Sequence, residues 1–231
     1  MSGNGLPKRP PTGYGPAAVP TATWISPRAS IPKRPTRRNK STDLTVVPAT
    51  PGRWSDLESL FGPNGAYSNC WCTWWILTGK EFSEALPAER RSILEGLVAN
   101  GEKPGLLAYR DRQPVGWCAV GPRLRYTRMM SARSSVYRPP DDPAGNWVIN
   151  CFYIPRPHRG TGVATALLEA AVAFARQSGA KVIDAYPLLD DTHGAASLYV
   201  GTYSMFKDAG FVEISRVRER PLMRLALSGE S

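Results

Sequence analysis

Acidic residues are scarce at the start of this 231-residue chain, and long apolar runs are missing from all of it. No stretch reaches the roughly 18 apolar residues expected of a membrane-spanning helix. No apolar segment follows the first basic residues, as one would in a secretory signal peptide. With only four cysteines and no sign of secretion, we expect free thiols in a reducing cytoplasm, and therefore a cytoplasmic protein without a membrane partner.

The charge of the chain is distributed unevenly. Lys and Arg number 29 against 19 Asp and Glu, giving a net charge of +10, and residues 1–43 hold eight of the basic residues but one acidic residue, Asp43. The same segment holds eight prolines and shows little apolar periodicity, so it cannot bury enough surface to offset its ordering entropy. We therefore predict a disordered, basic, proline-rich tail over 1–43 and a folded domain over 44–231.

Two interpretations of the basic tail remain open. A polybasic arm can contact nucleic acid, the ribosome or an acidic partner through its charge. Alternatively, the segment is a solvated extension without a specific partner, or the result of a mis-assigned start site.

Apolar periodicity after residue 43 alternates between the two-residue period of strands and the 3.6-residue period of helices. Several β-rich runs precede or follow helical ones, and no internal repeat is visible, so the pattern predicts a mixed, layered α/β domain. The aromatic cluster at 69–77 has no clear structure, and 124–134 reads as helical. The predicted strands are 44–47, 105–110, 113–120, 147–154, 181–186, 211–215 and 222–227, and the main predicted helices are 51–61, 87–99, 161–178 and 195–209.

A glycine-rich turn at 159–164 joins the buried strand 147–154 to the long helix 161–178. The first N–H groups of a helix have no intrahelical acceptor and carry partial positive charge, so such a turn binds anions and suits phosphate. Gly160 and Gly162 let the backbone approach a bulky diphosphate where a Cβ would intrude. Arg159 and His158 add positive character. The residues themselves therefore predict a diphosphate site.

The same segment resembles a family signature. Arg159-x-x-Gly162-x-Ala164 is similar to the (Gln/Arg)-x-x-Gly-x-(Gly/Ala) motif of the GNAT superfamily of acetyltransferases, and the order of strand, motif, long helix, strand and helix is similar too. Residues 205–211 resemble the aromatic-x-x-x-Gly-Phe end of the last helix of that fold. The resemblance is dense over 146–212 and extends plausibly over 44–228.

The resemblance implies a fold and a reaction. The expected fold is a mixed, mostly antiparallel sheet with a splayed central strand pair and helices on both faces. The expected reaction is N-acylation with acetyl-CoA as donor and no metal, in which the amine attacks the thioester directly within a ternary complex. The strand would hold the pantetheine arm and the turn would hold the diphosphate. The implied cofactor-binding residues are Phe152, Tyr153, Ile154, Arg159, Gly160, Thr161, Gly162, Val163, Ala164, Thr165 and Tyr199.

The acid and base of the reaction do not follow from the family pattern. Many GNAT enzymes protonate the leaving thiolate with a Tyr on the last helix, but the matching residue here is Phe206. Tyr203, one predicted helical turn earlier, is a candidate substitute, and unassisted departure of the CoA thiolate is the alternative. For the general base, Tyr186 aligns with the usual position at the end of its strand. Asp190 is a further candidate, unless it is merely a solvated loop carboxylate.

The Cys70-Trp71-Cys72-Thr73-Trp74-Trp75 cluster allows three interpretations. A metal site is one, although Cys-x-Cys lacks a second ligand pair at zinc spacing. An aromatic wall for a cationic or planar acceptor is another, and plain core packing is the third. Cys151 reads as a small buried hydrophobe, with a nucleophilic role open because its strand faces the thioester. The predicted substrate-binding residues are Trp71, Trp74 and Trp75.

The sequence thus favours an acetyl-CoA-dependent N-acyltransferase, monomeric or homodimeric, acting on the primary amine of a small molecule such as a metabolite or an antibiotic. One alternative is a protein or peptide N-acetyltransferase that docks through the basic tail. The other is a non-catalytic module that senses acyl-CoA, which Phe206 would be consistent with.

Overall fold

A computed structural model of the chain describes residues 44–130, 144–189 and 198–227. Seven strands form one sheet in the order β1-β2-β3-β4-β5-β7-β6. Neighbouring strands are antiparallel except β4 and β5, which are parallel. The predicted mixed, mostly antiparallel sheet is confirmed, and the predicted strands shift by about two residues at most. The strands are β1 Leu44–Pro48, β2 Gly105–Arg110, β3 Gln113–Pro122, β4 Asn146–Tyr153, β5 Val182–Ala185, β6 Val212–Val217 and β7 Arg220–Ala226.

Helices cover both faces of the sheet, as expected, because alternate residues of β3 face opposite ways. Gly116 lies against Val163 of α5, while Trp117 packs in a cluster with Leu57 and Phe61 of α1. The short helix α2 was not predicted; a capping box formed by Thr78 and Glu81 begins it. The helices are α1 Trp54–Phe61, α2 Gly79–Glu84, α3 Pro87–Ala99, α4 Thr127–Met130, α5 Val163–Gln177 and α6 Tyr203–Asp208.

The two central strands separate part-way along their length. Pairing between β4 and β5 joins Asn146–Ile149 to Val182–Ala185 and ends there. On its other side, β4 stays paired with β3 up to Tyr153. Within the described residues, the second half of β4 therefore has a strand on one side only, which confirms the predicted splay.

The predicted helix over 195–209 is interrupted at 198–202, and residues 195–197 lie outside the described residues. The helix α6 begins at Tyr203, after an N-cap by Thr202 whose side chain accepts a hydrogen bond from the N–H of Met205. Gly201 precedes this cap with a φ of +82°, a conformation that ends regular helix. Leu198–Val200 forms a separate 3-10 turn.

Other boundaries also changed. The long helix α5 begins at Val163 rather than at 161, because Gly162 is its N-cap with a φ of +84°. The segment predicted as helical over 124–134 contains a 3-10 turn, Arg123–Arg125, and the single turn α4. The predicted tail over 1–43, Asp190 and residues 131–134 lie outside the described residues. No helix in the described part is long and apolar enough to cross a membrane.

Two glycines provide a matched test of this packing. A Cβ at Gly105 would lie 2.6 Å from the Trp117 ring and would also meet the carbonyl oxygen of Cys118, whereas a Cβ at Gly96, in α3, would meet nothing within 4 Å. We predict that Gly105→Ala lowers the free energy of unfolding by about 1–3 kcal/mol through overpacking. Gly96→Ala should raise it by about 1 kcal/mol, because alanine is the better helix former. Denaturant unfolding of both variants measures the difference, and equal stabilities would contradict the β2–β3 packing.

Candidate active site

A cavity of about 780 Å³ opens along the free edge of β4. One wall is the outer half of β4 itself, and a second is the turn after β4 with the first turn of α5. The segment from α1 to α2 forms a third wall, and the segment that leads into α6 closes the space. The side chains and backbone that line it are Phe61, Ala66, Tyr67, Ser68, Cys70, Cys72, Trp74, Trp75, Phe82, Cys151, Phe152, Tyr153, Ile154, His158, Arg159, Gly160, Gly162, Val163, Ala164, Thr165, Tyr199, Gly201, Thr202 and Met205.

The N-terminus of α5 has the geometry of an anion site. The Gly162 N-cap has no side chain to accept hydrogen bonds from the first-turn N–H groups, and no acidic residue lies in that turn. A Cβ at Gly160 or at Gly162 would meet nothing within 4 Å, so the space in front of this backbone is open. The donors of Val163, Ala164 and Thr165 are therefore available to a ligand, and their partial positive charge suits a diphosphate.

Side chains hold the turn in this shape. The Nε of Arg159 donates to the carbonyl of Ile154 at 2.9 Å, and the hydroxyl of Thr161 donates to the carbonyl of His158 at 2.7 Å. Arg110 of β2 donates to both the hydroxyl and the carbonyl of Thr161, at 3.1 Å each. Thr161 is thus turned towards the protein and, alone among the predicted cofactor-binding residues, does not line the cavity.

The free half of β4 presents different side chains to its two faces. Phe152 packs against Phe206 of α6, with ring centroids 6.2 Å apart, whereas Cys151 and Tyr153 pack against the core beside α1. The backbone between them faces the cavity without a neighbouring strand on the β5 side. An extended ligand with amide groups can hydrogen-bond to such an edge in the manner of an added strand.

The tryptophans of the 70–75 cluster have separate roles in the structure. Trp74 and Trp75 line the cavity, but Trp71 does not. The Trp71 ring packs between Trp54 and Phe61, at centroid distances of 6.3 and 5.8 Å, and is 6% exposed. The interpretation of Trp71 as a substrate-binding residue is therefore corrected to core packing, because its ring fills the space between Trp54 and Phe61 and not the cavity.

Two arginines contact the aromatic wall of the cavity, which is formed here by Trp74 and Phe82. The Trp74 ring contacts Phe82 edge-on at 4.8 Å. The guanidinium of Arg128 lies 3.9 Å from the Trp74 centroid and that of Arg90 lies 3.9 Å from the Phe82 centroid. Arg128 also donates to the carbonyls of Trp74 and Thr78, at 2.5 and 3.1 Å. Because these contacts restrain both ends of the wall, we infer that it is preformed.

The predicted base, Tyr186, lies in a buried polar cluster and not on the cavity wall. Its hydroxyl accepts hydrogen bonds from both terminal nitrogens of Arg123, which is fully buried. Asp184 balances that charge, with an oxygen 3.8 Å from Arg123 and a bidentate contact to Arg224 at 2.7 and 2.9 Å. Tyr186 therefore does not line the cavity, and its role as the general base stays a prediction.

The predicted acid, Tyr203, also lies away from the cavity lining. A hydrogen bond with Glu213 raises the pKa of Tyr203, and Arg216 lies 5.7 Å from its ring centroid. Because α6 begins at Tyr203, Tyr199 and Tyr203 do not lie on consecutive turns of one helix. Of these two residues, Tyr199 lines the cavity and Tyr203 does not. Phe206 is fully buried between Phe152 and Phe211.

The structure adds residues that sequence reasoning did not assign to the site. Three of the four cysteines, Cys70, Cys72 and Cys151, line the cavity together. The Cys-x-Cys pattern was visible in the sequence. Its position beside Cys151 in the cavity lining depends on the turn before α2, and no local sequence pattern predicts it. Among the described residues, no group of three or more His, Cys, Asp or Glu side chains is arranged to hold a metal ion.

Comparison with known proteins gives a family match over this region. The family model described as "Acetyltransferase (GNAT) family" matches residues 71–201, more than half of the chain. A search of curated proteins gives no match.

Solved structures of similar fold include several acetyltransferases of low sequence identity. An N-acetyltransferase from Staphylococcus aureus Mu50 is 13% identical, with 80% of this chain and 99% of that chain covered and a TM-score of 0.47. The PaiA N-acetyltransferase from Thermoplasma acidophilum, solved with coenzyme A, is 12% identical, with 80% and 99% covered and a TM-score of 0.47. The GNAT domain of S. lividans PAT is 18% identical, with 78% and 89% covered and a TM-score of 0.47.

The family assignment rests on the family model, which spans the aromatic wall, the free half of β4 and the turn before α5. Together with the sheet and the anion site, it leads to one conclusion: the chain belongs to the GNAT family of acetyltransferases.

Proposed function

We propose that this protein is an acetyl-CoA-dependent N-acyltransferase that acetylates the primary amine of a small molecule within a ternary complex. One observation carries the proposal: a single cavity contacts both the N-terminus of α5 and the aromatic wall, with the free edge of β4 between them. Donor and acceptor can therefore be bound together, with the acyl group beside that edge.

The donor half of the cavity fits coenzyme A by its chemistry. The N–H groups at Gly160 and at 162–165 would hold the diphosphate, and the edge of β4 at 152–154 would pair with the amides of the pantetheine arm. Bound acetyl-CoA supplies an activated acyl group. A backbone N–H directed at the thioester oxygen would stabilise the negative charge that develops there during attack.

The acceptor half favours a compact, apolar or aromatic amine. Trp74, Trp75, Phe82, Phe61 and Tyr67 line it, and no carboxylate does so among the described residues. A basic peptide or a polycation would find no counter-charge on this wall. Burial against apolar side chains disfavours the charged form of an amine and lowers its pKa, which increases the fraction of free base that can attack.

Two measurements test the proposal. Titration calorimetry with acetyl-CoA tests the donor half, and a screen of small amines and peptides that follows CoA release tests the acceptor half. We expect acetyl-CoA binding and turnover of at least one small aromatic or apolar amine. Turnover of peptides alone would favour a protein acetyltransferase, binding without any turnover would favour a sensor, and no binding at millimolar acetyl-CoA would end the proposal.

The glycine N-cap of α5 provides a prediction for the donor half. Gly162→Ala puts a side chain at a φ of +84° at the mouth of the anion site, so it should weaken acetyl-CoA binding by roughly tenfold or more through displaced N–H donors. Gly179→Ala is the matched control, because Gly179 has a φ of +80° at the other end of the same helix. Calorimetry should show reduced affinity for the first variant and ordinary affinity for the second. Equal affinities would argue against a diphosphate site at the N-terminus of α5.

The aromatic wall provides a prediction for the acceptor half. Trp74 is 40% exposed and lines the cavity, so Trp74→Ala should raise the acceptor KM by about tenfold through lost apolar contact, while acetyl-CoA affinity stays the same. Ile214→Ala removes a similarly exposed side chain, 46% exposed on β6 away from the cavity, and should leave both quantities unchanged. Steady-state kinetics with an amine found in the screen measures this, and an unchanged KM for Trp74→Ala would place the acceptor elsewhere.

A further inference from the structure

Two arginines bring uncompensated positive charge to the aromatic wall. Arg90 donates to the carbonyl of Phe82 at 2.6 Å, and Arg128 donates to the carbonyl of Trp74 at 2.5 Å. Their other contacts are also with carbonyl oxygens and aromatic rings. Within the described ranges, neither arginine forms a salt bridge, whereas the neighbouring Arg91 is paired with two glutamates. Because carbonyls and rings carry no net charge, the charge of both guanidiniums acts on the wall and on the space beside it.

Each ring of the wall already contacts a cation. The guanidinium carbon of Arg128 lies 3.9 Å from the Trp74 centroid and 5.8 Å from the Phe82 centroid, and that of Arg90 lies 3.9 Å from the Phe82 centroid. Both rings line the cavity, and neither arginine does. A second cation at the same rings would compete for their π electrons and would be repelled by the first. Of the two acceptors that an aromatic wall can take, cationic or planar, this geometry favours the planar one.

The rest of the described lining contains no carboxylate to offset this charge. Burial lowers the pKa of Arg128, whereas the electrostatic effect of Tyr199, a residue of the cavity lining, raises it, so the charge of Arg128 lies close enough to act on the cavity. An ammonium group would therefore enter a positively charged space, and no described carboxylate would accept its proton. The titratable groups of the described lining are Tyr67, Cys70, Cys72, Cys151, Tyr153, His158, Arg159 and Tyr199.

We propose that the acceptor is an arylamine, in which the primary amine is bonded directly to an aromatic ring. The inference rests on the proposed function and names the acceptor class of that same cavity. The nitrogen lone pair of an arylamine is delocalised into its ring, so the amine is uncharged at neutral pH and is not repelled by Arg90 and Arg128. Its flat ring can pack on Trp74 and Phe82 in the offset or edge-on arrangements that aromatic pairs prefer. An alkylamine with a pKa of about 10, like that of lysine, would first have to lose a proton.

The transfer step balances in atoms and charge. The neutral arylamine attacks the carbonyl carbon of acetyl-CoA directly; a carbon–nitrogen bond forms, and the bond from that carbon to the CoA sulfur breaks. CoA leaves as a thiolate and takes a proton from solvent, and the nitrogen loses a proton to solvent. The net products are the amide and CoA.

An arylamine acceptor also fits the side chains that the cavity lacks. A protonated arylamine nitrogen is a strong acid, so water is a sufficient proton acceptor after the attack, and the acceptor arrives as a free base. No general base is then required within the described lining, from which Tyr186 is absent. The buried Phe206 has no proton to give, and the CoA thiolate takes its proton from solvent.

Two isomeric amines test the inference on the unmodified full chain. In p-toluidine the nitrogen is bonded to the ring, whereas in benzylamine a methylene group separates the two, and the atoms are otherwise the same. We expect kcat/KM at pH 7 to be higher for p-toluidine by about tenfold or more. Between about pH 6 and pH 8, the value for p-toluidine should stay nearly constant, whereas that for benzylamine should rise roughly tenfold per pH unit with its free-base fraction.

Variants of Arg128 test whether its charge selects the neutral amine. Arg128→Gln should reduce the preference for p-toluidine over benzylamine by about threefold or more, because benzylamine is then repelled less. Arg128→Lys, which keeps the charge, should retain most of the preference. Arg176→Gln is the matched control, because Arg176 is exposed in the last turn of α5. If Arg128 only restrained the wall, its loss would lower kcat/KM for both amines by the same factor, and an unchanged ratio would overturn its role in selection.

The outcomes separate this inference from the proposed function. Turnover of benzylamine at pH 7 with a kcat/KM equal to or above that of p-toluidine would overturn the arylamine class and leave the proposed function intact. Turnover of other small alkylamines, with neither isomer acetylated, would have the same meaning. Failure of the protein to bind acetyl-CoA in calorimetry would overturn both.

Discussion

The short pairing between β4 and β5 is the constraint on which the rest of the site depends. Four residue pairs hold the two strands together, and beyond Ile149 the strand β4 continues with β3 as its neighbour. Buried backbone N–H and C=O groups require partners, so a strand edge facing a cavity is an incomplete structure that a ligand with amide groups can complete. Under the proposed function, the same separation leaves room for donor and acceptor to meet beside this edge.

Packing on the two faces of β3 and β4 keeps this opening from closing. Gly116 allows α5 to approach so closely that a Cβ there would lie 2.6 Å from a methyl group of Val163, which fixes the N-terminus of α5 beside the cavity. On the opposite face, Phe61 contacts Trp117 and Tyr153 edge-on at 5.8 and 5.6 Å and anchors the segment that carries the aromatic wall. Rigid elements thus position both halves of the site.

The chemistry of the cavity differs from what the family pattern implies. Its described lining contains no carboxylate, Tyr186 and Tyr203 lie outside it, and Phe206 is buried in an aromatic cluster. The titratable groups that remain in the described lining include the thiols of Cys70, Cys72 and Cys151. Apolar walls also favour the neutral form of an amine, which reduces the need for a strong general base.

The sequence by itself determined the strands, the long helix and the glycine-rich turn before it, because these depend on local patterns: apolar periodicity, Gly160 and Gly162. Gly201 is also a local signal for the end of regular helix, and the prediction of one helix over 195–209 did not take it into account. Only the tertiary structure decided which side chains face the cavity. Trp71 and Trp74 are three residues apart, yet one packs in the core between Trp54 and Phe61 and the other lies on the cavity wall. Cys72 and Cys151 line the same cavity although they lie far apart in the chain, and no local pattern encodes such a meeting.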